Sequence, residues 1–272
     1  AKTNTLFVTT SSGLQPVESG TFPNGSKVAQ ILGIPELKEE TSMNYSLGFT
    51  ATPIRGLEIT IDGYIINIKD RIVLTNNFTG GTNAALTAEL IAAGASQANV
   101  FTNAIDTKSR GLEAVANYSF SIANDHKFRL TAALTWIKNE VKKGSDGKPI
   151  IKASPTLISS GQLGNYFNRE DQSRIEVANP LSKANLMMNY RYNKFSAMLR
   201  FAIFGEVTYL DPTININNPA SWPINLFTGK RETLDQTFNP KTVTDFSLSY
   251  NITKQVTVTA GANNLFDIYQ DF

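Results

Sequence analysis

The chain is 272 residues long, 41% hydrophobic and 18% charged, with a formal net charge of +2 at pH 7. That balance is too small to argue for nucleic acid or an acidic partner. Cysteine is absent and His126 is the only histidine, which excludes a disulfide framework, a thiolate metal site and a histidine-based metal cluster; no cofactor-binding motif is present.

The length suits one large domain or two ordinary ones. No run of about 18 apolar residues occurs, so membrane-spanning helices are excluded; spanning strands, which are shorter and alternate, are not. Residues 1–12 carry Lys2 but no apolar core followed by a cleavage site, so the chain is expected either not to be exported or to be a mature or truncated form.

Residues 1–40 hold Gly13, Pro16, Gly20, Pro23, Gly25, Gly33 and Pro35 without a sustained period, and predict a long loop with a short extended piece over 5–10. The first clear pattern spans 41–74. Tyr45, Leu47, Phe49 and Ala51 alternate with Ser46, Gly48 and Thr50; after Pro53 and Gly56, Leu57, Ile59 and Ile61 alternate with Glu58, Thr60 and Asp62. Alternation on both sides of a short Pro/Gly break predicts a β-hairpin, because successive strand side chains point to opposite faces. Beyond Ile61 the bulk moves to Tyr64, Ile66 and Ile68, which predicts a bulge near Gly63 or the exit from a regular layer. In the stretch 75–105, AALTAELIAAG predicts a short helix ending at Gly94.

A second hairpin follows from Leu112, Ala114, Ala116, Tyr118 and Phe120, a turn at 123–125, and Phe128, Leu130, Ala132, Leu134 and Trp136. Residues 142–179, rich in Gly, Ser and Pro, predict a long loop. A third hairpin turns at Asn193 and Lys194, and a loop with Pro212, Pro219, Pro223 and Gly229 leads to a fourth that turns over 251–254. The outcome is about eight strands in four hairpins, with connections alternating between short and long.

A soluble sandwich also hides one face of each strand. Three features favour a membrane instead. The polar face carries Ser46, Thr50, Thr60, Asn117, Thr131, Asn185, Asn189, Arg200, Asp245, Ser247, Thr257 and Thr259, which suits a hydrated lumen behind a lipid-facing apolar side. Phe49, Phe120, Phe128, Tyr192, Phe195 and Tyr250 crowd the strand ends beside the short turns, as an aromatic girdle at a membrane interface requires. Long loops hold much of the chain, which is unusual in a compact soluble domain.

Four segments carry a family resemblance. LKEETSMNYSLGF (37–49), ITIDGYIINIKDRIVL (59–74), FTNAIDTKSRGLEAVA (101–116) and VTVTAGANNLFDIY (256–269) resemble, in order, late barrel strands of TonB-dependent outer-membrane receptors. The resemblance implies an all-β, antiparallel transmembrane barrel of about 22 strands around an N-terminal plug. About eight strands are present, without a plug-like segment or an energy-coupling box at the start. Residues 263–272 do not alternate and are read as loop, Phe272 included. The expectation is therefore the C-terminal third to half of a receptor barrel, with 1–40 an extracellular loop and 41–272 barrel strands and loops, the remaining strands and the plug lying elsewhere.

By resemblance, the function implied is active uptake of a scarce nutrient, such as a metal chelate, vitamin or glycan, across a Gram-negative outer membrane. The partners implied are outer-membrane lipid, the remaining strands and plug, a TonB-type energy-coupling protein and an extracellular lid lipoprotein. The alternative is a non-transporting barrel, either a passive pore or a scaffold subunit. No catalytic constellation appears. His126 sits at a turn, read as solvated, and the acid pairs Glu39–Glu40 and Glu170–Asp171 lie in loops. Gly80–Gly81 is not followed by the Lys-Ser/Thr of a phosphate loop. Ligand contacts are expected on the long-loop edge, where Tyr166, Phe167, Asn168 and Arg169, and Trp222 with Asn217 and Asn225, combine rings with hydrogen-bonding groups. Loop packing accounts equally well for each of them.

Overall fold

The computed structural model describes residues 2–10, 13–123, 125–216 and 218–271. Its contacts divide into two units. Unit 1 comprises Ala1–Met43, Asn67–Lys108 and Glu140–Gln172; unit 2 comprises Asn44–Ile66, Ser109–Asn139 and Ser173–Phe272.

The predicted hairpins account for unit 2. Strands β3 (Thr41–Ile54) and β4 (Leu57–Leu74) pair across a tight turn. Gly56 is required there. Its φ is +85°, and a Cβ would lie 2.2 Å from the Ser119 carbonyl oxygen, which in turn faces a backbone that hydrogen-bonds Ser119 N–H to Gly56 O at 2.8 Å. With β5 (Phe78–Thr79) lying in unit 1, the sheet continues through β6 (Gln97–Ile122), β7 (His126–Val141), β8 (Ser182–Tyr192), β9 (Phe195–Phe204), β12 (Lys241–Asn251) and β13 (Thr257–Ala262). The β8–β9 turn has Asn193 at φ +49°, a conformation Asn tolerates. The short strands β10 (Val207–Tyr209) and β11 (Gln236–Phe238) form a separate ribbon in the loop between β9 and β12. Among the described residues β3 pairs only with β4 and β13 only with β12, so the sheet of unit 2 has two open edges.

Strand register sorts the side chains into two faces. Leu130 opposes Met188, Met188 opposes Leu199, and Leu199 opposes Phe246. One residue along, Thr131 opposes Met187, Met187 opposes Arg200, and Arg200 opposes Asp245. The apolar row is open to the surroundings: Leu47 is 85% exposed and Val258 53%. Around Gly63, where the sequence predicts a bulge or the exit from a regular layer, the structure shows a close ring–glycine approach. The strand runs unbroken through Gly63, and the Tyr64 ring lies over Gly111, where a Cβ would meet it at 2.4 Å.

Unit 1 departs from the sequence expectation. The loop predicted over 1–40 contains an antiparallel pair, β1 (Lys2–Thr10) and β2 (Gly13–Phe22), followed by helix α1 (Lys27–Ile31). In the sequence of these strands polar residues such as Thr3, Asn4, Thr5, Glu18, Ser19 and Thr21 follow no period of two, which removes the apolar alternation by which strands are recognised. β2 then runs parallel to the start of β6, Ser19 opposite Gln97 and Phe22 opposite Val100, so β6 begins well before the predicted strand. The helix expected before Gly94 is α2 (Ala84–Ala92), capped by the Asn83 side chain on Leu86 N–H at 3.0 Å, with Gly94 at φ +67° just beyond it.

The loop predicted over 142–179 folds as three short helices, α3 (Pro155–Ser159), α4 (Leu163–Tyr166) and α5 (Arg169–Glu176). Ser154 caps α3, with Pro155 at its first position. Asn168 and Asp171 cap α5 reciprocally: Asn168 Oδ1 accepts from Asp171 N–H at 2.9 Å and Asp171 Oδ2 accepts from Asn168 N–H at 3.0 Å. Val28, Leu32, Phe78, Leu86, Leu90, Val100, Ile105, Leu157 and Tyr166 form the buried core of this unit.

Candidate functional site

The polar face of unit 2 is the first candidate, because strand register concentrates cations on it. Lys127 opposes Arg191, Arg191 opposes Ser196, and Ser196 opposes Ser249; one layer along, Arg129 opposes Asn189. These residues line a depression of ≈ 680 Å³ together with Ser119, Ser121 and Ser247. Two like charges directly opposite across a strand pair repel, so this band suits an anionic surface. Sequence reading missed Lys127 and Arg191 because it judged the strands singly; they meet through the β7–β8 register, and those strands are joined by a long connection that leaves the register unmarked in the sequence. The opposite face carries a connected run of rings. Phe120 stacks on Phe128 at 5.0 Å, Phe128 meets Tyr190 at 4.9 Å, and His126 stacks on Tyr192 at 4.3 Å. His126 Nδ1 lies 2.7 Å from the Tyr190 hydroxyl. The histidine read as a solvated turn residue is thus part of the aromatic row, half-buried by its neighbours.

Unit 1 holds a second polar centre. Lys152 Nζ donates to Asp70 Oδ1 at 2.8 Å and pairs also with Asp106, while Asp106 Oδ1 accepts from Asp70 N–H at 2.9 Å. Asp70 is held at φ +54°. Asn103 ties in the approach to β3: its amide donates to Lys38 O and Asp70 O, and its Oδ1 accepts from Lys38 N–H at 2.7 Å. Burial would raise the Asp106 carboxyl, but the Lys152 ammonium and the Asp70 amide outweigh it and hold the group below its ordinary value. Burial would likewise lower Lys152, and its two carboxylate partners raise it.

The sequence-predicted contact residues separate by role. Tyr166 and Phe167 are buried in unit 1; the Tyr166 hydroxyl donates to Lys152 O at 3.2 Å and accepts from the Thr102 hydroxyl. They pack the unit. Arg169 opens α5 and is half-buried. Trp222 and Asn225 share one loop of unit 2. Trp222 Nε1 donates to Asn215 O at 2.9 Å, and Asn225 bonds Glu232, Phe227 N–H and Thr228 N–H. Hydrogen bonds from Thr228 and Asn225 lower the Glu232 carboxyl. This bracing presents Leu226, 94% exposed, and Phe227, 100% exposed, at the tip. Asn217 lies outside the described residues.

The profile of the family described as TonB dependent receptor-like, beta-barrel matches residues 2–265. The chain belongs to that family. No curated protein matches the sequence. Among solved structures, the outer membrane transporter YddB from Escherichia coli shares the fold with a TM-score of 0.56 at 13% identity, over 86% of this chain and 30% of that one. The FrpB iron transporter from Neisseria meningitidis follows at 0.52 and 14%, over 87% and 28%. The ferric enterobactin receptor PfeA from Pseudomonas aeruginosa, as a mutant in complex with enterobactin, gives 0.51 at 17%, over 85% and 27%. This chain therefore spans less than a third of each of these structures.

Within this receptor-like barrel, the family-like motifs turn out to knit strands together. Gly48 leaves room for Asp62, whose Oδ1 would lie 1.8 Å from a Cβ. Arg71 donates to Thr107 Oγ1 at 3.2 Å, and Glu40 accepts from Ile72 N–H at 2.6 Å. In the Asn-Leu-Phe-Asp segment, Asn264 N–H donates to Asp245 Oδ1 at 2.8 Å while the Asn264 side chain brackets Ile268. Asp245 also receives Arg200 Nε at 2.7 Å, so the motif returns the chain onto β12. No strand occurs over 263–271, as expected from the lost alternation.

Proposed function

We propose that this chain forms part of the barrel wall of an outer-membrane receptor that imports a scarce nutrient, such as a metal chelate, vitamin or glycan. The observation that carries the reading is the two-faced sheet of a receptor-family chain. An exposed apolar row and a polar row alternate in register across β7, β8, β9 and β12, which suits lipid on one side and a hydrated lumen on the other. The open edges at β3 and β13 would pair with further strands of the same receptor, since unpaired backbone in hydrocarbon is costly. The cationic band of Lys127, Arg129 and Arg191 would face an acidic surface of the plug. The remaining partners in this reading are a TonB-type coupling protein, outer-membrane lipid and an extracellular lid lipoprotein. Residues 1–40 would belong to the extracellular side with the long connections, where Arg169, Trp222 and Asn225 remain the ligand contacts we assign.

The test is uptake by cells producing the intact receptor that carries this chain. Accumulation of labelled ferric chelates, cobalamin and oligosaccharides would be compared with and without the energy-coupling protein. Concentrative uptake of one of these that collapses without coupling is the expected result. Solute flux indifferent to coupling would indicate a passive pore, and no flux at all would indicate a scaffold; either would overturn the transport reading.

A further inference from the structure

The face of β9 and β12 that carries Arg200 and Asp245 continues through Ala202 opposite Val243 to Phe204 opposite Lys241, the last residue of β9 and the first of β12. There the two strands open into their long connection, and a cavity of ≈ 390 Å³ lies against that end of the face, wholly within unit 2. The β10–β11 ribbon supplies Val207 and Phe238, and the segment that returns onto β12 supplies Ile268 and Tyr269. Gly205 lets the chain pass close to the start of β8 at this point. Its N–H donates to Ser182 O at 2.8 Å, and a Cβ would lie 2.5 Å from Ser182 Oγ.

Three rings, Phe204, Phe238 and Tyr269, line the cavity, and Tyr269 is 65% exposed. Lys183, outside the lining, sits over the Phe204 ring with its Nζ 4.9 Å from the centroid. Asn239, Lys241 and Gln270 supply the polar lining. Lys241 is the one charged residue of that lining, and it pairs with Asp271. Asn239 N–H and Nδ2 also donate to Asp271 Oδ2, at 3.0 and 3.3 Å. The Lys241 ammonium and the Asn239 N–H hold the Asp271 carboxyl below its ordinary value, so it stays an acceptor. Asn239 Oδ1 and the Gln270 amide have no protein partner among the described residues. The margin is therefore neutral and offers donors and acceptors together, beside rings that suit C–H groups. A charged ferric chelate would need cations that are not already matched. A corrinoid exceeds the space, which is at the small end of ligand sites of roughly 300–1,000 Å³. A pyranose fits on both counts: its C–H groups pack on rings, and each hydroxyl both donates and accepts.

We propose that the cavity lined by Phe204, Phe238, Asn239, Lys241, Tyr269 and Gln270 binds about one or two rings of an uncharged oligosaccharide, so that the imported nutrient is a neutral glycan. The inference rests on the transport reading above, because a hydrated lumen behind the polar face is what brings an imported molecule past this cavity. Sugar hydroxyls donate to Asn239 Oδ1, Gln270 Oε1 and the Asp271 carboxylate, and accept from the Lys241 ammonium. Tyr269 and Gln270 are both exposed, so they can be replaced with the least disturbance to the fold.

Binding is measured by titration calorimetry on the intact receptor that carries this chain, in a sugar-free amine oxide detergent. The probes are neutral tetrasaccharides of glucose in both anomeric linkages, mannose, xylose and galactose. Tetragalacturonate, a ferric tricatecholate and cobalamin are separate arms. At least one neutral tetrasaccharide should bind. Tyr269→Ala should weaken it by about tenfold and Gln270→Ala by about fivefold, while Tyr269→Phe, which keeps the ring, should bind like the wild type. Failure of every neutral tetrasaccharide to bind would overturn the site, as would affinity unchanged in both alanine variants. Tetragalacturonate, the ferric chelate or cobalamin bound in preference to every neutral sugar would overturn it equally. Uptake in cells separates this inference from the reading beneath it. Coupling-dependent uptake of another nutrient, with no sugar bound, counts against the carbohydrate site alone. Sugar binding that is weakened in Tyr269→Ala, with solute flux indifferent to coupling, supports the site and counts against the transport reading.

Discussion

At the scale of single residues, Tyr166 shows how burial changes the meaning of a side chain. An aromatic ring in a loop beside Asn and Arg suggests ligand capture, yet Tyr166 is fully buried and its hydroxyl joins Thr102 to the Lys152 carbonyl. Replacing it in Tyr166→Phe removes this partner from the buried Thr102 hydroxyl and the part-buried Lys152 carbonyl, at a cost of about 1–3 kcal/mol. Hydrogen exchange of residues 150–167 in the intact receptor should then accelerate by about 5- to 100-fold, with ligand affinity unchanged; the reverse pattern would make Tyr166 a contact after all. The neighbouring ion pairs carry a pH signature. Asp106 is held below its unfolded value, so its contribution is present above pH of about 4 and fades as pH falls through the lowered folded value. Lys152 is raised, so its contribution is complete below pH of about 10 and is lost as pH rises through the raised folded value. Exchange at 150–154, corrected for the intrinsic rate, should therefore rise at both extremes, and Lys152→Met should flatten both limbs. Identical profiles for the two proteins would remove the ion pairs from the account.

At the scale of elements, the strand is the unit that separates the two environments. Leu130 and Leu186 are exposed on one face, while the Thr131 hydroxyl donates to Asn117 Oδ1 at 2.8 Å on the other. A cation placed among the apolar positions would cost roughly 2–4 kcal/mol at the bilayer midplane, which is why the cations are confined to the polar face or to strand ends. Spin labels at positions 47, 130, 186, 248 and 258 should be relaxed by lipid-soluble oxygen, and labels at 50, 131, 185 and 247 by a water-soluble nickel chelate. Equal access of the chelate to both sets would refute the lipid assignment.

At the scale of the whole molecule, the open edges decide what the chain can do alone. β3 and β13 each lack a second partner among the described residues, and an exposed strand edge templates association with other chains. The 272-residue chain, produced by itself and refolded in detergent, is expected to aggregate or to remain protease-sensitive throughout. A monodisperse monomer with heat-modifiable mobility would instead show that these strands close on themselves. The small inner residues Gly48, Thr50, Ser247, Ser249 and Gly261 argue against closure, because an eight-stranded barrel fills its interior with side chains and these would leave it empty.

The strands of unit 2 and their pairing within hairpins were legible in the local sequence. A period of two is a local property: Leu47 and Phe49, or Leu130 and Leu134, declare a face without reference to anything distant, and Gly56 and Asn193 declare the turns through their backbone conformation. The local sequence also carried the family membership, in segments whose residues hold neighbouring strands together. Tertiary structure alone decided the rest. The β1–β2 pair has no apolar period to announce it, and the helices of 155–176 are too short for a helical period to accumulate. The centre formed by Asp70, Asp106 and Lys152, the stack of His126 on Tyr192 and the ring-lined cavity at the end of β9 all join residues from separate elements. Such sites are set by strand register and packing, to which no single stretch of sequence has access.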